Sequence, residues 1–137
     1  MIDVAILFRT LQFLAHNGHS LTVPAARFAD HAFFAELSAV YEDAYELLIA
    51  RMLGLEGGID LIELQCTAAA GLARRGERAK TPDALFRALL DGEYNACALM
   101  KTLMDDAEGA EGRWSRGAVE ESEVRRFKLE RRLEATI

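Results

Sequence analysis

The chain has 137 residues, carries a formal net charge of −6 and is 51% hydrophobic. This length is that of one ordinary domain, spanning 1–137, which can bury roughly two thirds of its unfolded surface without a disulfide or a metal. The excess of acidic residues opposes the binding of phosphate backbones, so we expect weak or no DNA binding. No apolar run approaches about 18 residues and no basic segment opens the chain, so we predict a cytoplasmic protein without a membrane span.

The first predicted element is a helix from Asp3 to about His19. Leu7, Leu11 and Leu14 recur along it at helical spacing and mark its apolar face. The next segment, 20–24, is predicted to be extended, because β-branched residues precede a proline there.

A second, longer helix is predicted from about Ala25 to Gly54, ended by Gly57-Gly58. Its main apolar stripe consists of Phe34, Leu37, Tyr41, Leu48, Met52 and Leu55. A second stripe runs through Ser38, Tyr45, Ile49 and Leu53. A helix that is apolar on two faces must be buried on both. We therefore expect one face to pack inside its own domain and the other to form a subunit interface.

A short amphipathic helix is predicted from 60 to about 71, followed by a polar loop over 74–80. Thr81-Pro82-Asp83 then provides an N-cap, a proline in the first helical position and an acid in the first turn. These residues predict the start of a third long helix that continues to about Leu103. Gly92 interrupts its pattern and is expected to bend it.

The glycine-rich segment 108–117 is predicted as a turn region, with Trp114 at a contact between subunits, and a last helix is predicted over 118–135. The basic residues of this last helix are expected to form a solvated face with the acids beside them; they are Arg125, Arg126, Lys128, Arg131 and Arg132. Cys66 and Cys97 lie inside apolar helical patterns and are predicted to be buried free thiols. No strand pattern occurs, so the predicted fold class is all-α.

The residues that could bind a metal lie in the first third of the chain. All three histidines are there, namely His16, His19 and His31, and the acids of the second helix follow, namely Asp30, Glu36, Glu42, Asp43 and Glu46. Imidazoles and carboxylates together suit iron, and helical bundles often build metal sites from such residues. Spacing alone also permits surface histidines beside a solvated acidic face.

The segment HNGHSLTVPAARFADHAFFAELSAVYEDAYELLIARMLGLEGG resembles the signature of the Dps mini-ferritins. In that family a histidine ends the first helix, and a second histidine follows twelve residues later. An acid comes fifteen residues after the second histidine. His19, His31 and Glu46 match these positions, with glutamate where the family usually has aspartate, and Arg51 also falls in place. The layout is similar over nearly the whole chain, and the specific motifs cover about 15–58.

The resemblance implies a ferritin-like four-helix bundle with a short extra helix between the second and third main helices. It implies a homo-oligomer, a dodecameric cage built from two-fold dimers, with iron as the metal and other divalent metals as substitutes. The ligands would be His19 and His31 from one subunit and Glu46 from its two-fold mate, with His16, Asp30 and Glu42 as further candidates. Such a protein oxidises Fe(II) with oxygen or peroxide and stores the product.

Three positions depart from the family pattern, and one of them is Ser20, where an aromatic often follows the first histidine. Ala50 replaces a glutamate that normally bridges the metals, and Ala35 stands where an acid is usual. The site therefore keeps two imidazoles and one carboxylate of the usual set, which favours metal binding over fast ferroxidase turnover. Two alternatives stay open: a ferritin-like assembly protein that has lost the chemistry, and an unrelated helical adaptor.

Overall fold

The computed structural model describes residues 2–22, 28–56, 60–76, 79–106 and 110–135. Within these ranges every regular element is helical, and no strand occurs, which confirms the predicted all-α class. The helices are α1 (Ile2–Leu21), α2 (Phe28–Glu56), α3 (Leu61–Gly76), α4 (Pro82–Asp106) and α5 (Ala110–Glu134). None of them is both long enough and apolar enough to cross a membrane, as far as the described residues extend.

Side-chain caps define the starts of α3 and α4. The backbone N–H of Ala84 donates to the Thr81 hydroxyl at 3.2 Å, and Pro82 is the first residue of α4, as predicted. Asp60 has the same role at α3, where its carboxylate accepts the N–H of Glu63 at 3.0 Å. These caps satisfy backbone donors that have no partner within the helix.

Several predicted boundaries are wrong, and the structure shows why. α5 begins at Ala110, so most of the predicted turn over 108–117 is helical and Trp114 lies within a helix. Glycine disfavours a helix by about 1 kcal/mol at most, and buried Ser115 and Val119 supply contacts that offset this cost. α3 likewise continues to Gly76, and α1 continues to Leu21, inside the segment 20–24 that was predicted to be extended; residues 23–27 lie outside the described residues.

Ion pairs at one end of the molecule establish the directions of the helices. Arg132, near the end of α5, donates to Asp30 at 2.8 Å and to Asp83 at 3.0 Å. Asp30 opens α2 and Asp83 opens α4, so both helices start where α5 ends. The connection between α2 and α4 must therefore return along the whole length of the molecule. This long crossover contains α3, which packs on α1.

The four long helices enclose one hydrophobic core. Its centre includes Phe34 and Phe86, whose rings stack with centroids 4.1 Å apart. The main stripe predicted on α2 is buried from Phe34 to Met52, whereas the side chain of Leu55 lies outside the described residues. The second stripe is only partly covered, since Tyr45 is buried and Leu53 is half exposed. Cys97 is buried as predicted, but Cys66 is exposed on α3.

α2 also carries apolar side chains on the side that faces away from the core. Val40, Leu47 and Leu53 are exposed there, and Ala32, Ala39 and Ala50 are exposed along the same side. Nothing in the described part of one chain covers this strip. The predicted use of this face as a subunit interface stays a prediction.

Two glycines mark close approaches between helices. A Cβ on Gly92 would lie 2.2 Å from Leu11 Cδ2, so this glycine lets α4 approach α1 within a continuous helix. A Cβ on Gly18 would lie 2.3 Å from two ring atoms of Phe34. Because Phe34 is itself stacked on Phe86, its ring has little freedom to move away.

We expect Gly18→Ala to lower the free energy of unfolding by about 1–3 kcal/mol, the usual cost of overpacking a core. Gly117→Ala is the matched control, since a Cβ there has no heavy atom within 4 Å. It should raise the free energy of unfolding by about 0.5–1 kcal/mol, because alanine favours a helix over glycine. Urea denaturation followed by circular dichroism measures both changes. Equal effects of the two substitutions would contradict the described packing of Gly18.

Candidate functional site

The two histidines predicted as metal ligands meet at the junction of α1 and α2. The rings of His19 and His31 stack with centroids 3.8 Å apart and an angle of 25° between their planes. His19 lies near the end of α1 and His31 lies in the first turn and a half of α2. The end of α1 and the start of α2 thus lie side by side, so two positions twelve apart in sequence become direct neighbours.

The backbone fixes the orientation of the His31 ring. Its Nδ1 lies 3.0 Å from the carbonyl oxygen of His19, and Thr22 Oγ1 lies 3.4 Å from the same nitrogen. A carbonyl oxygen only accepts, so Nδ1 carries the proton and Nε2 keeps its lone pair. A metal-binding histidine typically has this arrangement, with one ring N–H held by a carbonyl and the other nitrogen on the metal.

The surroundings of His19 favour its neutral form. Burial lowers its pKa, and the Coulombic influence of the neighbouring His31 and His16 lowers it further. Its Nδ1 is buried and has no hydrogen-bond partner among the described residues. Neutral imidazole is the form that binds transition metals, and a buried nitrogen without a partner is a feature that an ion or water would explain.

The other predicted ligands do not join the histidine pair within one chain. Glu46 lies fifteen residues beyond His31 on the same helix, which is about 22 Å along the helix axis. Glu42 is exposed on the same helix, eleven residues beyond His31. Asp30 is adjacent in sequence, but its carboxylate is bound to Arg132. His16 is exposed, one turn before His19.

Across the described ranges, no group of three or more histidine, cysteine, aspartate or glutamate side chains is close enough to hold a metal ion. The described residues of one chain therefore present two imidazoles and no third ligand beside them. A third donor at this place would have to come from outside the described part of the chain.

A buried polar cluster in the middle of the bundle is the second candidate site, and sequence reasoning missed it. The carboxylate of Glu93, which is fully buried, accepts hydrogen bonds from Tyr41 at 2.7 Å and from Ser122 at 2.7 Å. It also forms an ion pair with the buried guanidinium of Arg125. That guanidinium lies over the Phe8 ring at 5.6 Å and the Tyr41 ring at 5.5 Å.

The charges of this cluster are balanced, which determines its chemistry. Burial would lower the pKa of Arg125, but the Glu93 carboxylate outweighs that effect and raises it, so the guanidinium stays charged. Burial, with the Glu93 charge as a second cause, raises the pKa of Tyr41 well above its usual value and keeps the phenol protonated. Glu93 thus receives three donors, and a cation already lies beside it. We conclude that the cluster is structural and leaves no room for a metal.

Arg125 and Arg132 were predicted to lie on a solvated face, and both predictions are wrong. Arg125 is buried against Glu93, and Arg132 is held by Asp30 and Asp83. One signal could have revealed the pair in the core. Glu93, four residues after the buried Leu89, falls on the apolar face of α4, where an unpaired carboxylate would be costly.

Comparison of this chain with models of protein families, with curated proteins and with solved structures finds no match. The candidate sites are therefore weighed on their geometry alone. On that basis the histidine pair has free nitrogen lone pairs and the buried cluster has none. The histidine pair is the candidate functional site.

We expect Arg125→Met to lower the free energy of unfolding by about 3–5 kcal/mol, because it leaves the Glu93 carboxylate buried without its counter-charge. Adding Glu93→Gln should recover a large part of that loss. Lys128→Met is the matched control on the same helix, since the Lys128–Glu36 pair is about half exposed and should contribute about 1 kcal/mol at most. Denaturant titrations of the four proteins test this, and equal losses from Arg125→Met and Lys128→Met would refute a structural role for the buried pair.

Proposed function

We propose that this protein is a ferritin-like mini-ferritin of the Dps kind, which binds iron between subunits of a homo-oligomeric cage. The supporting architecture is a set of four long helices joined by one long crossover that contains a short helix. Ferritin-like folds are the helical bundles with a single crossover of this type. Beyond the all-α fold class, we thus propose a ferritin-like bundle and its assembly into a dodecamer.

One observation supports the metal site above all others. The stacked His19 and His31 rings meet at the helix junction, and His31 Nδ1 lies 3.0 Å from a backbone carbonyl. This leaves the Nε2 lone pair of His31 available, as a metal ligand requires. Iron(II) accepts imidazole and carboxylate ligands together.

The third ligand in this proposal is Glu46 of a second copy. Glu46 is exposed on the outer side of α2, beside the uncovered apolar strip that a second copy would bury. If two α2 helices pack antiparallel about a two-fold axis, an axis between positions 38 and 39 brings His31 level with Glu46 of the other copy. Each dimer would then contain two equivalent sites, with His16 and Glu42 near enough to be further candidates.

Iron would be both the metal bound at this site and the substrate that is oxidised there. Each Fe(II) gives one electron to oxygen or peroxide and becomes Fe(III), which then collects as mineral inside the cage. Ala35 and Ala50 leave the site with fewer carboxylates than the family set. This favours slow oxidation, and it keeps a second candidate function: a ferritin-like assembly protein that binds metal weakly or not at all.

The test of a shared site is complementation between two defective variants. His31→Gln and Glu46→Gln should each weaken Zn(II) or Co(II) binding, measured by calorimetry, by 100-fold or more, since even indirect partners of a ligand are worth about 10–100-fold. When the two variants are co-expressed, mixed dimers regain one intact site, so about a quarter of the wild-type sites should return. Glu63→Gln, an exposed acid on α3, is the matched control and should bind normally.

Complementation distinguishes a shared site from a site within one chain. If each variant loses binding and the mixture stays inactive, the ligands do not come from different copies. Normal binding by His31→Gln would mean that the histidine pair is not the metal site at all.

Particle mass and iron oxidation test the two candidate functions. By light scattering, the cage should have the mass of about twelve 15.2 kDa chains. Aerobic addition of Fe(II) should give absorbance growth that is faster than in buffer and that falls to the buffer rate in His31→Gln. A cage that oxidises Fe(II) only at the buffer rate favours the assembly protein, and a monomer contradicts both candidates.

A further inference from the structure

An open groove lies between the first half of α2 and the last half of α5. Its volume is about 610 Å³. Its walls are mainly apolar and include Phe33, which packs on Phe86 in the core, and Phe127, which is 60% exposed. Ala29 and Ala32 of α2 also line it. Within the described part of one chain, nothing fills this groove.

The rim of the groove is positively charged on the α5 side. Lys128 and Arg131 lie there, and the Arg131 guanidinium is over the Phe127 ring at 5.6 Å. Lys128 donates to Glu36 across the groove at 3.1 Å, but both side chains remain about half exposed. An occupant of this groove should therefore present an apolar side chain flanked by acids.

α2 carries such a side chain farther along. Leu47 is 57% exposed, and two exposed acids precede it: Asp43 by about one helical turn and Glu46 by one residue. Leu47 lies eighteen residues after Ala29, which is about five whole helical turns, so both face the same direction from the helix. Within its own chain Leu47 is about 25 Å along the axis from the groove, so only another copy can place a leucine there.

We propose that each groove receives Leu47 of a second copy, with Asp43 of that copy facing Lys128 and Arg131. This inference rests on the two-fold arrangement of the proposed function. The axis that brings His31 level with Glu46 also brings position 30, in the groove wall, level with position 47. A two-fold axis perpendicular to two antiparallel helices turns the same side of each helix toward the other. Leu47 of one copy therefore faces the side of the other copy's α2 that lines the groove.

Each dimer would contain two equivalent contacts of this kind, which we call anchors: the Leu47 side chain of each copy fills the groove of the other. An exposed leucine in a phenylalanine-lined pocket buries apolar area at the position where acids and bases are matched, which gives the contact both affinity and register. The anchors would hold the two copies in the register that the metal ligands require, without any metal being present.

A charge at the anchor should separate the copies. We expect Leu47→Asp to shift the mass of the metal-free protein, measured by analytical ultracentrifugation in EDTA, from an assembly to the 15.2 kDa monomer. Ile62→Asp is the matched control, because Ile62 is 78% exposed and belongs to α3 rather than to the α2 strip. Both variants should keep wild-type helicity by circular dichroism, since both side chains are already exposed. An unchanged mass for Leu47→Asp overturns the proposal.

A disulfide tests the contact directly. In a Cys66→Ser background, Leu47→Cys and Phe127→Cys are combined in one chain and oxidised mildly. Within one chain, Leu47 lines a small pocket together with Ala118 of α5. Phe127 lies about 13 Å farther along α5 than Ala118, and a disulfide bridges Cα atoms only up to roughly 7 Å apart, so a bond within one chain is excluded. We expect a covalent dimer on a non-reducing gel, and none when Ile62→Cys replaces Leu47→Cys.

The results separate this contact from the proposed metal site. An assembly that forms no 47–127 disulfide overturns the groove contact, and complementation between His31→Gln and Glu46→Gln can still succeed. A 47–127 disulfide without complementation supports the groove contact and overturns the metal site. If the wild-type protein is monomeric in EDTA and the double-cysteine variant forms no disulfide, the groove contact is overturned. If the wild-type protein also stays monomeric with metal, both proposals are overturned.

Discussion

The packing of the bundle depends on the neutralisation of one buried carboxylate. Glu93 is fully buried on α4, where an uncompensated charge would cost several kcal/mol. Tyr41 from α2 and Ser122 and Arg125 from α5 all direct donors at it. The cluster thereby joins three helices at a single point and fixes how far each is rotated about its axis. It also uses the inward carboxylate that a metal in the bundle core would need.

With the Glu93 carboxylate already paired, the metal site that we propose lies outside the core, at the junction of α1 and α2. There the structure brings together His19 and His31, with ring centroids 3.8 Å apart, and keeps the acids of α2 at a distance. A helix is a rigid spacer of about 1.5 Å per residue, so His31 and Glu46 cannot meet in one chain. The apolar strip on the outer side of α2 has the same implication, since it is left uncovered when the core is complete. Both features fit a second copy of the chain.

The sequence predicted those features that depend on local rules. Helical periodicity identified the buried stripe of α2, and the cap residues identified the start of α4 at Pro82. The start of α5 was predicted wrongly, because glycines near 110–117 read as a turn while long-range contacts of Val119 and Ser115 stabilise a helix. The pairing of Glu93 with Arg125 was also missed. It joins positions 32 apart, and no local pattern relates them.

The candidate site was likewise predictable only where it depends on local spacing in the sequence. The spacing of His19 and His31 suggested a pair, and the structure brings the rings into contact. Asp30 was a less certain candidate, and its ion pair with Arg132, more than 100 positions away, could not be read from the sequence. A carboxylate that binds a guanidinium and anchors the ends of three helices is a poor ligand, because a metal would have to break that contact.

The proposed ligand set also bears on which oxidation state the site prefers. Two neutral imidazoles and one carboxylate supply a single negative charge, so a bound divalent ion leaves one net positive charge and a trivalent ion leaves two. Each carboxylate added to the set would stabilise Fe(III) more than Fe(II), since hard oxygen ligands favour the higher charge. With alanine at positions 35 and 50, the site lacks that bias. The same residues that favour capture of a divalent ion therefore provide little driving force for its oxidation, which connects the proposed binding of metal with the expected slow turnover.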